Sequence, residues 1–183
     1  MNFPTQLKGI LRQDVLGDAH DDKVELVEEQ PERDHPMRYT VAGLRDETAI
    51  VDLRKLGHLG SLAATGDLRK ICDFLIVGPV DDDDQCYAVL LEMKVTLGQN
   101  RRPREQLRRS RPLLEYLRDV CTVQYSNSQR VELRYVIVAE RQSERLDKQA
   151  TRPRGRPGRD VLYKDIRIRT FVGRSSGFAD LVE

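Results

Sequence analysis

Asp73, Glu92 and Lys94 combine residue types and spacing suited to acid–base and metal chemistry. Asp73 stands near the start of the apolar run "CDFLIVG", and Glu92 and Lys94 close the run "CYAVLLEMK". Side chains on a strand alternate between faces. Ala88, Leu90, Glu92 and Lys94 therefore share one face of the second run, opposite Tyr87, Val89, Leu91, Met93 and Val95. In the first run Ile71, Asp73, Leu75 and Val77 share a face, opposite Cys72, Phe74 and Ile76. A hairpin turning symmetrically about Asp82 and Asp83 puts Asp73 opposite Glu92, Leu75 opposite Leu90 and Val77 opposite Ala88. A slip of two residues keeps these faces but moves the carboxylates apart on a diagonal.

Two adjacent carboxylates at the end of a sheet repel each other, which raises at least one pKa unless a cation is near. Lys94 neutralises part of that repulsion, and a hard divalent cation neutralises more. Carboxylate, carbonyl and water oxygens suit Mg²⁺, whose ligands sit at about 2.0–2.1 Å. Such an ion activates a bound water and stabilises charge developing on a phosphate. A neighbouring lysine positions the attacking water or helps to deprotonate it. The chemistry this constellation suits is phosphodiester hydrolysis.

The elements that must position these residues follow from pattern. "PTQLKGILRQ" predicts a short helix, and "KVELVEEQ", "MRYTVAG" and "ETAIVDLRKL" predict strands. "GHLGSLAATGDLRK" reads as a Gly-rich loop with a helical turn, followed by the hairpin and its acidic "DDDD" connection, a solvated turn. Residues 102–121 carry Leu107, Leu113, Leu114, Leu117 and Cys121 as an apolar helical stripe. Pro112 lies inside it, so either the helix kinks there or a second helix starts near it. "VELRYVIVAE" predicts a strand and "VLYKDIRIRTFVG" one final strand. Strands, a helix and further strands make an α/β arrangement in which the helix covers a mixed sheet.

A chain of 183 residues suits one domain. No segment reaches the roughly 20 apolar residues needed to cross a bilayer, and the first residues lack a signal-peptide pattern, so a cytoplasmic protein without a membrane partner is expected. Cys72, Cys86 and Cys121 are odd in number and far apart, which predicts reduced, buried thiols. His20, His35 and His58 lack the spacing of a zinc hydrolase, and neither a GxxxxGK[ST] nor a GxSxG motif occurs. The net charge of +1 hides an asymmetry: residues 98–159 carry sixteen Lys/Arg against seven Asp/Glu, whereas residues 1–50 carry six against eleven. The basic half is either a footprint for a polyanion or a solvated arginine-rich surface.

"CDFLIVG", a variable loop, "AVLLEMK" and a following helix together resemble the PD-(D/E)XK nuclease superfamily, with its restriction-endonuclease-like fold. Asp73 matches the metal-binding aspartate of that family, and Glu92-Met93-Lys94 its (D/E)XK element. The resemblance implies that Asp73, Glu92 and the Met93 carbonyl bind Mg²⁺ or Mn²⁺, and that Lys94 serves the nucleophilic water. It implies a mixed central sheet flanked by helices, with a core over about residues 40–140. Residues 1–39 are then an N-terminal elaboration, and residues 141–183 a basic loop plus the final strand, within one domain over 1–183. Cys72 replaces the proline that often precedes the aspartate. An upstream acid is not assignable among Glu47, Asp52 and Asp67. Gln106 matches an accessory glutamine, although no tyrosine follows four residues later.

The expected partner is nucleic acid, in the first place DNA. Arg101, Arg102, Arg104 and Arg108 follow the site on the helix, where they either grip phosphate or form a solvated face. Arg154 and Arg156 lie in "RGRP", which resembles an AT-hook core but also reads as a basic flexible loop. The leading expectation is a metal-dependent endonuclease, and the resemblance allows a homodimer or higher oligomer, since members that cut both strands often pair two sites. The alternative is a non-catalytic nucleic-acid-binding or assembly module that retains the nuclease fold.

Overall fold

A computed structural model describes residues 1–29, 34–56, 70–80, 85–97, 101–126, 129–142 and 159–183. The first helix, α1 (Phe3–Ile10), starts where Asn2 accepts a hydrogen bond from Thr5 N–H and a proline occupies the first turn. It buries Phe3 and Leu7. A short strand β1 (Leu16–Gly17) follows, then an antiparallel pair, β2 (Lys23–Glu28) and β3 (Met37–Ala42). Next come β4 (Ala49–Asp52), β5 (Phe74–Pro79), β6 (Cys86–Leu97), the long helix α2 (Arg102–Tyr125) and β7 (Val131–Gln142). The chain ends with β8 (Arg159–Tyr163), β9 (Ile166–Val172), β10 (Ser175–Gly177) and a short helix α3 (Phe178–Val182).

Seven strands form one mixed sheet in the order β1-β4-β5-β6-β7-β9-β8, and β10-β3-β2 form a second. The central strands are apolar on both faces, as strands covered on both sides must be. Ala49, Val51, Leu75, Val77, Ala88 and Leu90 face α1 and α2, where they meet Leu7, Leu107, Leu114 and Leu117. Ile50, Phe74, Ile76, Val89, Leu91 and Met93 face the second sheet and α3, where they meet Val24, Leu26, Tyr39 and Phe178. The molecule is thus α/β, a large mixed sheet with α1 and α2 on one face and the small sheet with α3 on the other.

Several expectations are revised. The N-terminal elaboration contributes to both cores: α1 supplies Phe3 and Leu7 to one, and β2 with β3 supplies Val24, Leu26 and Tyr39 to the other. The segment predicted as one final strand is a hairpin, β8 and β9, in which Tyr163 pairs with Ile166. Its two-residue turn sets Lys164 at φ 54°, a left-handed conformation that glycine or asparagine usually marks. After it, β10 runs parallel to β3 and α3 packs into the second core. At Pro112, α2 continues as one helix through an exposed position, while its buried stripe holds it to the sheet. Cys72 precedes β5 and packs on the helix side, not on the face of Phe74. Residues 57–69, 81–84 and 143–158 lie outside the described residues, and with them the Gly-rich loop, the "DDDD" turn, Asp67, Arg154 and Arg156.

Candidate functional site

The hairpin register is the one the alternation predicts: Leu75 pairs with Leu90 and Val77 with Ala88. Phe74 pairs with Leu91, so one further step brings Asp73 beside Glu92. Asp73 is fixed from three sides. Its Oδ2 accepts a hydrogen bond from Met93 N–H at 2.7 Å, and its backbone carbonyl accepts one from Leu53 N–H at 3.0 Å. The residues before it are tied to α2: Ser110 Oγ accepts from Cys72 N–H at 2.8 Å, and Gln106 Nε2 donates to the Ile71 carbonyl at 3.1 Å. Gln106 therefore braces the backbone that leads into Asp73.

Ser110 also donates to the Gln106 carbonyl one turn earlier, at 2.8 Å, so a single hydroxyl joins the helix to the strand entry. Ser110→Ala leaves the buried Cys72 N–H without its partner, which costs about 1–3 kcal/mol. A melting temperature lowered by roughly 3–9 °C is expected for a chain of this size. Differential scanning calorimetry of the two proteins checks it, and an unchanged midpoint would contradict the bracing role.

Glu92 is fully buried and Asp73 is 6% exposed. Burial, reinforced by the Asp73 charge, pushes the Glu92 carboxyl up to about 8. Burial, with the neighbouring Glu28 charge, pushes Asp73 up to about 6, even though Lys94 and the Met93 N–H work against it. Burial alone would lower the Lys94 pKa, but Glu92, Asp73 and Glu28 outweigh it and raise it. Lys94 is therefore an ammonium at neutral pH in this arrangement. Its Nζ lies 2.6 Å from Glu92 Oε1. Among the described residues Glu92 Oε2 has no partner, and Oε1 has only the Lys94 ammonium, whose geometry falls short of a full hydrogen bond.

That orphaned carboxylate is what a divalent cation would satisfy. Asp73 and Glu92 supply hard oxygen donors. A strand residue points its N–H and C=O to the same neighbour. Since Met93 N–H meets Asp73, the Met93 carbonyl opens to the Asp73 side as well. The donor set fits Mg²⁺ or Mn²⁺ with water completing the shell. Among the described residues no three His, Cys, Asp or Glu side chains gather at metal-ligand spacing, so the protein carboxylates on offer are this pair.

The remaining expected residues fall elsewhere. Arg101 and Arg102 are exposed at the start of α2. Arg104 stacks 5.7 Å from the Tyr163 ring centroid, and Arg108 Nε donates to Asp165 Oδ1 at 2.8 Å, so both are turned to the β8–β9 hairpin. Asp52 is held by Arg54 through two bonds of 2.8 Å. Cys72, Cys86 and Cys121 are free and buried. Among the described residues no helix is long and apolar enough to cross a membrane. Two residues escaped the sequence argument. Glu28 Oε1 lies 4.0 Å from Lys94 Nζ, and Arg54 stacks 4.6 Å from the Phe74 ring centroid, next to Asp73. The only local hint of Glu28 is that it ends the inward face of Val24 and Leu26, as Glu92 ends that of Ala88 and Leu90.

Compared with family models, with curated proteins and with solved structures, the chain has no match.

Proposed function

We propose that this chain is a divalent-cation-dependent nuclease of the PD-(D/E)XK type, with a restriction-endonuclease-like core, acting on DNA. The observation that carries the reading is the buried Asp73–Glu92 pair, in which, among the described residues, Glu92 meets only the Lys94 ammonium 2.6 Å from Oε1. A buried carboxylate of this kind destabilises the fold unless it is neutralised. Such a cost has a reason where a cation binds.

Asp73, Glu92 and the Met93 carbonyl would hold Mg²⁺ or Mn²⁺. When bound, the cation supplies the positive charge that keeps both carboxylates ionised and polarises water and phosphate oxygen. Asp73 keeps its orientation through Met93 N–H, and Gln106 and Ser110 brace the turn that delivers it. Lys94, as an ammonium, donates hydrogen bonds to the attacking water or to a phosphate oxygen and orients it for in-line attack. Arg101 and Arg102, exposed where α2 begins, would meet the flanking phosphates. Their contacts would carry affinity rather than sequence choice.

A second reading keeps the fold but not the catalysis. The Lys94 contact favours it, because an ammonium 2.6 Å from Glu92 Oε1 already occupies the carboxyl without a cation. Incubation with linear, circular, branched and single-stranded DNA in Mn²⁺ separates the two. The nuclease reading predicts products that disappear in chelator. Nucleic-acid binding that is indifferent to chelator, with every substrate left intact, would move the protein to the binding-module class.

A further inference from the structure

The charged cluster draws on the second sheet as well as the first. Glu28 ends β2 with its side chain 15% exposed, and its Oε1 lies 4.0 Å from Lys94 Nζ. The residue beside it is fastened. Arg54 Nη2 donates to the Val27 carbonyl at 2.8 Å while the same guanidinium grips Asp52 and stacks on Phe74. One arginine thus joins the end of β2 to β4 and to the start of β5, where Asp73 sits. The place of Glu28 is set by these contacts and not by a loose strand end.

Lys94 stands between two carboxylates of different standing. Glu92 is the closer, at 2.6 Å, and belongs to the pair suited to a cation. A cation that engages Glu92 competes with the ammonium for the same oxygens, and the Lys94 side chain is 28% exposed, with room to turn to solvent. Glu28 approaches the same ammonium from β2, on the second sheet, with Oε1 4.0 Å from Nζ, and its charge also reaches Asp73 and Glu92. We infer that Glu28 is a positioning residue: it retains the Lys94 ammonium at the site when a divalent cation takes Glu92, and Arg54 fixes the strand from which it acts. The inference rests on the nuclease reading above.

The test compares full-length wild type, Glu28→Gln and Glu28→Asp by Mn²⁺ titration calorimetry, by single-turnover DNA cleavage at saturating Mn²⁺ and by a crystal structure of the Mn²⁺-loaded wild type. Glu28→Gln is expected to bind Mn²⁺ within about threefold of wild type and to cleave about tenfold or more slowly, with Glu28→Asp recovering part of the rate. In the loaded crystal Lys94 Nζ should lie within hydrogen-bond distance of Glu28. A Mn²⁺ affinity lowered more than tenfold in Glu28→Gln would make Glu28 a ligand and overturn the inference. So would an unchanged cleavage rate, or a Lys94 turned to solvent in the loaded crystal. If the wild type binds Mn²⁺ but cleaves nothing, the nuclease reading fails, and the position of Lys94 in the crystal decides the role of Glu28 by itself. If the wild type binds no Mn²⁺, both ideas fall.

Discussion

Lys94→Ala is expected to lower the single-turnover rate of Mn²⁺-dependent DNA cleavage by about a thousandfold while the protein stays folded. The magnitude is that of losing a positioned proton donor or acceptor in the transition state. Retention of the fold follows from the chemistry of Glu92, whose carboxyl is already pushed up to about 8. Without the ammonium it keeps its proton at neutral pH, so no buried charge is stranded. Lys94→Arg adds a second comparison. Lys94 is an ammonium here, held so by Glu92, Asp73 and Glu28. If its charge is what counts, arginine should lose less rate than alanine, despite its bulkier fork. Equal loss in both variants, with intact circular dichroism melts, would point instead to proton transfer by the lysine. An Ala variant that cleaves at the wild-type rate contradicts the assigned role.

The second large effect is on stability, and its sign follows from linkage. The folded Glu92 carboxyl titrates near 8 against an ordinary value of 4.5, so between these pH values the folded chain holds a proton that the unfolded chain has lost. Stability with a chelator present must then fall as pH rises. The contribution is complete below the ordinary value and is lost as pH passes through the raised one. From pH 5 to pH 8 the loss is on the order of 3 kcal/mol, and Asp73, raised to about 6, adds to it at the lower end. Glu92→Gln replaces the group by a neutral one of the same shape. It should flatten this dependence and melt about 5–10 °C higher than wild type at pH 8 in chelator. The order should reverse when Mn²⁺ stabilises only the wild type. Thermal melts at pH 5 and pH 8, with chelator and with Mn²⁺, supply the comparison. Parallel pH curves for the two proteins in chelator would show that Glu92 is not the buried acid described.

What could be read from the chain was whatever depends on local period. Alternation places Asp73, Glu92 and Lys94 on one face, and the hairpin needs only its two strands to bring the carboxylates together. The buried stripe of Leu107, Leu114, Leu117 and Cys121 likewise predicts a helix, and it outweighs Pro112 because that residue is exposed. Contacts between layers left weaker traces. Glu28 reaches Lys94 only because the second sheet packs over the first, a fact that no window around residue 28 contains. Arg54 looks like any surface arginine until Asp52, Phe74 and the Val27 carbonyl surround it. The β8–β9 turn was hidden for a different reason: Lys164 adopts a positive φ without the glycine that announces one. Gln106 sits on the predicted helix. The crossing of α2 over the strand entry aims it at the Ile71 backbone.

These residues form one account, in which a buried and poorly satisfied carboxylate pair is kept because it holds a divalent cation. Mn²⁺ titration calorimetry at pH 8 on wild type, Asp73→Asn and Glu92→Gln tests that claim most directly. The account predicts saturable binding by the wild type that weakens toward pH 6, as protons compete for Glu92 and Asp73, and that is lost in both variants. A wild type that takes up no Mn²⁺, or binding that persists undiminished in both variants, would contradict it.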